Sequence, residues 1–389
     1  MLSTFWRRGR KSALASAAIA GTAAGGTAGA VAASPAHAGS LAQPRLAAAR
    51  SAVLPLSAPW PSVGTGWVLA EYSPATASKP APTTLYLVSP SGGKYAVYQW
   101  AASKTAVPRL LAWSGDKTRA LLQLGGSNQL EQLNLRTGKA TRFSLPADVM
   151  PVGYTRPSGL QLLGEAVSDL AVTLGRYTLA GKRVQVLGQQ ADGVSAIYTP
   201  DGTELALSAE TGLLLVSNTG RVISKLPVTA ADPRIGCEPT RWWNPGTILA
   251  ECTPKGSAAA QLWLVPVNGA KPKALTPVRK SGMDLGDLDA WALPSGLYLQ
   301  SAGACGTLEL NKQARNGSVA PVPVPGLPAG TSVAVVTALG PQLLIHALGC
   351  TPGSQLVWFN PATKAERWLF KSGVESVIPY YSTENGVFS

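Results

Sequence analysis

The chain has 389 residues and a net charge of +13, and 46% of its residues are hydrophobic. Only two histidines are present, which excludes a metal site built from several imidazole ligands. Although the chain is basic, it contains no nucleic-acid-binding motif, so DNA and RNA are not expected partners.

Residues 1–38 are predicted to be a signal peptide. The basic start around Arg7 and Arg8 precedes an Ala/Gly-rich apolar stretch, and Ala36-His37-Ala38 is a small-x-small cleavage site. Secretory and twin-arginine export both remain open, as do cleavage and retention as an anchor. Residues 39–59 are rich in Ala and Pro and are predicted to be a flexible tether. No later segment is long and apolar enough to span a bilayer.

Residues 192–227 show the pattern that organises the remaining chain. Four apolar runs of about five residues, the usual length of a strand, are separated by turn sequences that contain Pro, Asn and Gly. The runs are almost continuously apolar, which is typical of sheets covered on both faces. The pattern predicts a four-stranded unit that needs a neighbour on each side.

The unit recurs along the chain. An apolar or aromatic residue followed by a turn ends each predicted first strand, at intervals of 41 to 48 residues. These residues are Trp113, Tyr154, Tyr198, Trp243, Trp291, Val336 and Tyr381. Four strands at such a period indicate a β-propeller, whereas a β-sandwich does not require seven units in register.

The predicted fold is therefore an all-β, seven-bladed β-propeller over residues 60–389, with four antiparallel strands per blade. The last unit holds only a first strand, Val377 to Tyr381, and the first unit lacks one. The C-terminal strand is therefore predicted to complete the N-terminal blade and close the ring. Closure would protect the inner sheet edges from pairing with other chains.

The four cysteines suit an exported protein, because disulfides persist in oxidising compartments. Four cysteines permit three pairings. Cys237 and Cys252 lie symmetrically about a predicted hairpin turn, and Cys305 and Cys350 occupy the same position in adjacent units. We therefore predict disulfides 237–252 within a blade and 305–350 between blades, with buried free thiols as the alternative.

Charged residues suggest two features. Basic residues recur in the late hairpins of successive units, which predicts a basic rim suited to anionic envelope polymers or lipid surfaces, or simply a solvated rim. These residues are Lys94, Lys139, Lys182, Arg221, Lys271 and Lys364.

Arg241 and Asp289 share a register position in neighbouring units, which predicts an ion pair near the central channel. A calcium site at Asp284, Asp287 and Asp289 is an alternative interpretation, although the spacing lacks the calcium-loop pattern.

No catalytic, cofactor-binding or metal-binding residues are assigned. His346 lies inside an apolar run and is predicted to be a core or interface residue, and no G-x-S-x-G motif accompanies it. Most tryptophans, including Trp243, are predicted to be in the core. Trp60 and Trp242 are less constrained, and their exposure would permit stacking on sugar rings.

Residues 198–202 (YTPDG) with Leu205, and residues 243–246 (WNPG) with the later 261–265 (QLWLV), resemble the WD40-like repeat of TolB-type propellers. The resemblance implies a propeller of the cell envelope that binds other proteins. The chain lacks the N-terminal domain of TolB, so a role in the Tol–Pal system is not implied.

These observations together predict an exported, non-enzymatic, monomeric binding module without a cofactor. Its partner would be a protein or an anionic envelope polymer, outside the cytoplasm. A propeller lyase or hydrolase and a carbohydrate-binding lectin remain alternatives, because a propeller fold does not determine function.

Overall fold

Short apolar runs separated by turn residues give an all-β structure. A computed structural model of the chain describes residues 58–380, apart from 75–80, 103–107, 126–127, 158, 169–170, 191–192, 280–284, 304–306 and 349–353. The predicted signal peptide lies outside the described residues, as does the predicted tether except for Ala58 and Pro59. The described residues belong to one compact unit, residues 51–388.

The strands are named in chain order. The first fifteen are β1 (Val68–Tyr72), β2 (Thr83–Val88), β3 (Lys94–Trp100), β4 (Pro108–Trp113), β5 (Arg119–Leu124), β6 (Gln129–Asn134), β7 (Ala140–Ser144), β8 (Val149–Tyr154), β9 (Leu162–Val167), β10 (Val172–Tyr177), β11 (Arg183–Gln190), β12 (Ala196–Tyr198), β13 (Glu204–Ala209), β14 (Gly212–Ser217) and β15 (Val222–Pro227). The remainder are β16 (Cys237–Asn244), β17 (Thr247–Cys252), β18 (Gln261–Pro266), β19 (Lys273–Ala274), β20 (Gly286–Leu293), β21 (Gly296–Ala302), β22 (Leu308–Gln313), β23 (Val319–Pro321), β24 (Ser332–Leu339), β25 (Gln342–Leu348), β26 (Gln355–Phe359), β27 (Glu366–Phe370) and β28 (Val374–Pro379).

The one helix among the described residues is a 3₁₀ turn at Trp60–Ser62. That part of the chain therefore contains no helix that is long and apolar enough to cross a membrane.

Consecutive strands pair antiparallel and form a propeller-like arrangement of sheets. Five sheets have four strands each, in the orders β28-β1-β2-β3, β4-β5-β6-β7, β8-β9-β10-β11, β20-β21-β22-β23 and β24-β25-β26-β27. The C-terminal strand β28 does pair antiparallel with β1, in the register that aligns Val377 with Ala70.

The prediction of a closed seven-bladed propeller is wrong. Strands β12 to β19 form one curled eight-stranded sheet in place of two separate blades, because Ala209 at the end of β13 pairs with Cys237 at the start of β16. Strand β12 has only three residues and leaves the end of β13 open to this partner. Gly236 allows the close approach: its φ is 77°, and an added Cβ would lie 2.6 Å from the Ala209 carbonyl oxygen.

The hydrophobic core lies between neighbouring sheets. Leu69 and Leu85 of the first sheet belong to the same buried cluster as Leu110 and Trp113 of the second. Each sheet therefore hides its two apolar faces against its neighbours, as the continuous apolar runs indicate.

Buried polar side chains also join the sheets. The Gln300 side chain accepts a hydrogen bond from the backbone N–H of Val335 and donates one to the carbonyl of Val333, both at 2.7 Å. His346 Nε2 lies 3.1 Å from the Val374 carbonyl and, because a carbonyl only accepts, donates to it. Both residues lie on the second strand of a sheet and contact the next sheet, so these groups hold the sheets together.

Candidate functional site

The third and fourth strands of each unit are joined by a short, solvent-facing turn that we call an outer hairpin. Asx turns shape four of them. In each, an asparagine side chain accepts a hydrogen bond from the backbone N–H two residues further on, at Asn134, Asn268, Asn316 and Asn360. The six basic residues predicted for the late hairpins are all exposed and lie in or directly beside these turns. We call this set, Lys94, Lys139, Lys182, Arg221, Lys271 and Lys364, the outer-hairpin band.

Contacts between neighbouring outer hairpins and strands connect the band. Gly220, in the turn before β15, packs against β11 so closely that an added Cβ would lie 2.5 Å from the Val186 carbonyl oxygen. Arg176 of β10 donates to the Asn218 carbonyl of the same turn at 2.5 Å. Across another join, Arg367 donates to the Pro90 carbonyl. Each of these turns therefore rests on the adjacent sheet.

The cations of the band are not neutralised by acids. Within the described part of the chain, none of the six forms an ion pair with a carboxylate. Two of them lie over aromatic rings instead: Lys94 Nζ is 4.6 Å from the Phe370 ring centre, and Lys364 Nζ is 5.7 Å from that of Phe359. The band therefore presents positive charge to solvent.

The inner strands carry the buried ion pair between Arg241 and Asp289. Arg241 Nε donates to Asp289 Oδ1 at 2.7 Å, a second contact joins Nη2 to Oδ2, and the guanidinium lies 4.1 Å from the Trp291 ring centre. Both side chains are 3% exposed. Burial raises the pKa of Asp289, while the guanidinium favours its ionised form. The pair joins β16 to β20 and so fastens neighbouring sheets.

Asp287 is held by another arginine. Its Oδ1 accepts hydrogen bonds from Arg279 Nη2 at 2.5 Å and from Ser301 Oγ at 2.8 Å. Burial raises the pKa of Asp287. Because arginines already supply the positive charge at Asp287 and Asp289, these carboxylates are poor ligands for calcium. Asp284 lies outside the described residues, and no group of three or more His, Cys, Asp or Glu that could hold a metal occurs among those described.

Glu71 lies where β1, β28 and β4 meet, and sequence reasoning did not single it out. Its Oε2 accepts from the Leu110 N–H at 2.8 Å and from Ser376 Oγ at 2.6 Å, and its buried Oε1 has no hydrogen-bond partner in the described structure. Burial raises the pKa of Glu71 to about 7, Glu375 adds to the increase, and the two hydrogen bonds and Arg109 oppose it. Glu71 is therefore poised to titrate near neutral pH.

This shift predicts a pH-dependent stability. Between pH 4.5 and about 7 the folded chain retains a proton on Glu71 that the unfolded chain has released, so stability falls as the pH rises through this window. We expect Glu71→Gln to be more stable than the wild type at pH 8 and similar to it at pH 5, because the amide needs no ionisation. Urea unfolding across this range tests this, with the exposed Glu210→Gln as the control. A Glu71→Gln variant that is equally destabilised at both pH values would contradict it.

His346 is buried, as predicted, and burial lowers its pKa.

The prediction for two adjacent tryptophans is wrong. Trp242 is buried and its Nε1 donates to the Tyr198 carbonyl at 2.6 Å, whereas Trp243 is only half-buried. Trp60 is half-buried against the first core cluster, with the Arg136 guanidinium 5.8 Å from its ring centre. Neither Trp60 nor Trp242 therefore offers an open face for sugar stacking.

Cys237 and Cys252 form a disulfide between directly paired positions of β16 and β17. Cys305 and Cys350 lie outside the described residues, so the 305–350 disulfide stays a prediction.

No protein-family model matches the chain, and no curated protein matches it in sequence. Similar solved structures include a prolyl endopeptidase (12% identity, TM-score 0.49, covering 79% of this chain and 50% of that one). They also include the β-propeller domain of the trilobed protease from Pyrococcus furiosus (10% identity, TM-score 0.48, covering 79% and 96%). TolB from Acinetobacter baumannii is a third (13% identity, TM-score 0.44, covering 80% and 65%).

The chain thus spans half the length of the prolyl endopeptidase and 65% of TolB. At these identities and TM-scores, the likenesses assign neither a family nor an activity to the chain.

Proposed function

We propose that this chain is an exported, non-enzymatic binding module whose outer-hairpin band holds an anionic polymer of the cell envelope. The observation that carries the proposal is the recurrence of an exposed cation at the outer hairpins, with no acidic partner among the residues that the structure describes. A repeated charge on a rigid scaffold suits a polymer that repeats its own negative charge.

The affinity for such a polymer depends on the number of ion-pair contacts made at once. A single exposed ion pair contributes only about 0.2–1 kcal/mol, and salt screens it. Several such contacts to one polymer add up, because the first contact holds the rest of the polymer nearby. The affinity should therefore be moderate and should fall steeply with ionic strength.

Two further observations support the proposal. The Cys237–Cys252 disulfide suits an oxidising compartment outside the cytoplasm. The inner carboxylates Asp287 and Asp289 are occupied by arginines that fasten the sheets, which favours a structural role for them over a catalytic one.

Binding of poly(glycerol phosphate) at several salt concentrations tests the proposal. We expect Lys139→Gln/Lys182→Gln to lower the affinity about tenfold, as two lost contacts of about 0.7 kcal/mol each would do. The matched control is Lys255→Gln/Lys371→Gln, which removes the same charge from exposed positions away from the outer hairpins. Equal losses in both variants would show a general charge effect and contradict the assignment to the band. Equally tight binding of uncharged dextran would favour a lectin instead.

A further inference from the structure

Four aliphatic side chains on two outer strands are exposed to solvent. Val184 and Val186 of β11 are 48% and 41% exposed, and Val222 and Ile223 of β15 are 49% and 42% exposed. Valine and isoleucine are among the residues most often buried in proteins. A group of them on the surface therefore suggests that something covers it.

The four side chains belong to one surface, which we call the β11–β15 patch. Strand β11 is the outermost strand of its sheet and β15 is an outermost strand of the eight-stranded sheet. The turn that leads into β15 rests on the backbone of Val186, as the close approach of Gly220 shows. This contact brings the start of β15, where Val222 and Ile223 lie, next to β11.

The backbone of the patch is unsuited to adding another strand. The register of β11 against β10 shifts between Arg176 and Tyr177, which leaves Val184 unpaired as a bulge, and the register of β15 against β14 shifts in the same way at Ile223. Bulges on outer strands disrupt the ladder and discourage edge-to-edge pairing. A partner is therefore recognised by side chains and not by strand addition, which argues against a second copy paired through this edge.

The charged residues on the two strands and their turns are all positive. Lys182, Arg183, Arg221 and Lys225 are exposed beside the aliphatic residues. Residues 178–190 and 217–230, which contain both strands and their turns, include no Asp or Glu. Aliphatic side chains surrounded by cations match a surface with an apolar interior and negative head groups.

We propose that the β11–β15 patch binds the surface of an anionic phospholipid bilayer, with the aliphatic side chains entering the interfacial region and the four cations contacting lipid head groups. The patch shares Lys182 and Arg221 with the outer-hairpin band. Binding to a bilayer, however, also requires the aliphatic side chains, whereas binding to a water-soluble polyanion does not. Binding of a bilayer and binding of a polymer can therefore succeed or fail separately.

Co-sedimentation of the full chain with vesicles tests the proposal. Vesicles of phosphatidylglycerol and phosphatidylcholine are compared with vesicles of phosphatidylcholine alone. We expect Val184→Ser/Ile223→Ser to bind the anionic vesicles about tenfold more weakly than the wild type, with unchanged affinity for poly(glycerol phosphate). The matched control is Leu160→Ser/Val167→Ser, which removes two exposed aliphatic side chains elsewhere, 63% and 41% exposed, and should bind like the wild type.

Three results would overturn the proposal. One is equal vesicle binding by the wild type and Val184→Ser/Ile223→Ser. Another is an equal loss in the Leu160→Ser/Val167→Ser control. The third is wild-type self-association in sedimentation velocity that the Val184→Ser/Ile223→Ser variant abolishes, since this would assign the patch to a second copy of the chain. Thermal unfolding of each variant verifies that these surface changes leave the fold intact.

Discussion

Replacing Arg241 with alanine is expected to lower the free energy of unfolding by about 3–5 kcal/mol, because it leaves a buried carboxylate without its partner. The Asp289 side chain is 3% exposed and cannot recover the lost contact from water. The substitution also removes the guanidinium from the face of Trp291. Urea unfolding followed by tryptophan fluorescence measures the loss.

A double variant separates the charge from the packing. Arg241→Met/Asp289→Leu removes both charges and keeps most of the volume, and replacement of a whole buried ion pair is often neutral or stabilising. We therefore expect it to be much more stable than Arg241→Ala. If Arg241→Ala and Asp289→Ala were each as mild as a surface substitution, the pair would not fasten the sheets as we describe.

Removing the Cys237–Cys252 disulfide is expected to cost about 3 kcal/mol, the value for a bridge that closes a loop of some 15 residues. The sequence separation of the two cysteines is 15 residues. The bridge also holds the start of β16, where Cys237 pairs with Ala209 in the eight-stranded sheet. Thermal and urea unfolding of Cys237→Ala/Cys252→Ala under non-reducing conditions measures the effect.

Reductant provides the control for the disulfide. The wild type should lose stability when a reductant is added, and the Cys237→Ala/Cys252→Ala variant should lose less. Equal stability of variant and wild type without reductant would contradict the expectation.

Most strands could be predicted from the sequence because apolar runs and turn residues mark them directly. The last three of the four apolar runs predicted within residues 192–227 correspond to β13, β14 and β15. The merged eight-stranded sheet could not be predicted. It depends on a single pairing between Ala209 and Cys237. This pairing follows from the backbone path of residues 228–236, and the pattern of apolar residues does not indicate it.

Irregular strand pairing explains why Trp242 is more deeply buried than Trp243. Strand β16 shifts register against β17 between Pro239 and Arg241 and again between Trp242 and Asn244. Each shift inserts a residue and changes which face the following side chains occupy. A regular strand pattern cannot reveal this, so the sequence favoured Trp243 as the core residue, although Trp242 is the more deeply buried of the two.

The sequence could locate some of the candidate sites but not others. The cations of the outer-hairpin band could be located because turn signals precede them. Glu71 could not be recognised, since its raised pKa arises from β1, β4 and β28 meeting around it. Val184 and Ile223 belong to residue types that are most often buried, and only the outermost position of β11 and β15 shows that they are exposed.

Hydrogen exchange with and without poly(glycerol phosphate) tests most directly whether the outer-hairpin band is the binding surface. We predict slower exchange in the outer hairpins at 135–139, 178–182, 218–221 and 360–365, and a loss of this protection at high salt. Protection confined to the connections at 228–236 and 253–260, or binding that leaves the outer hairpins unprotected, would contradict the account.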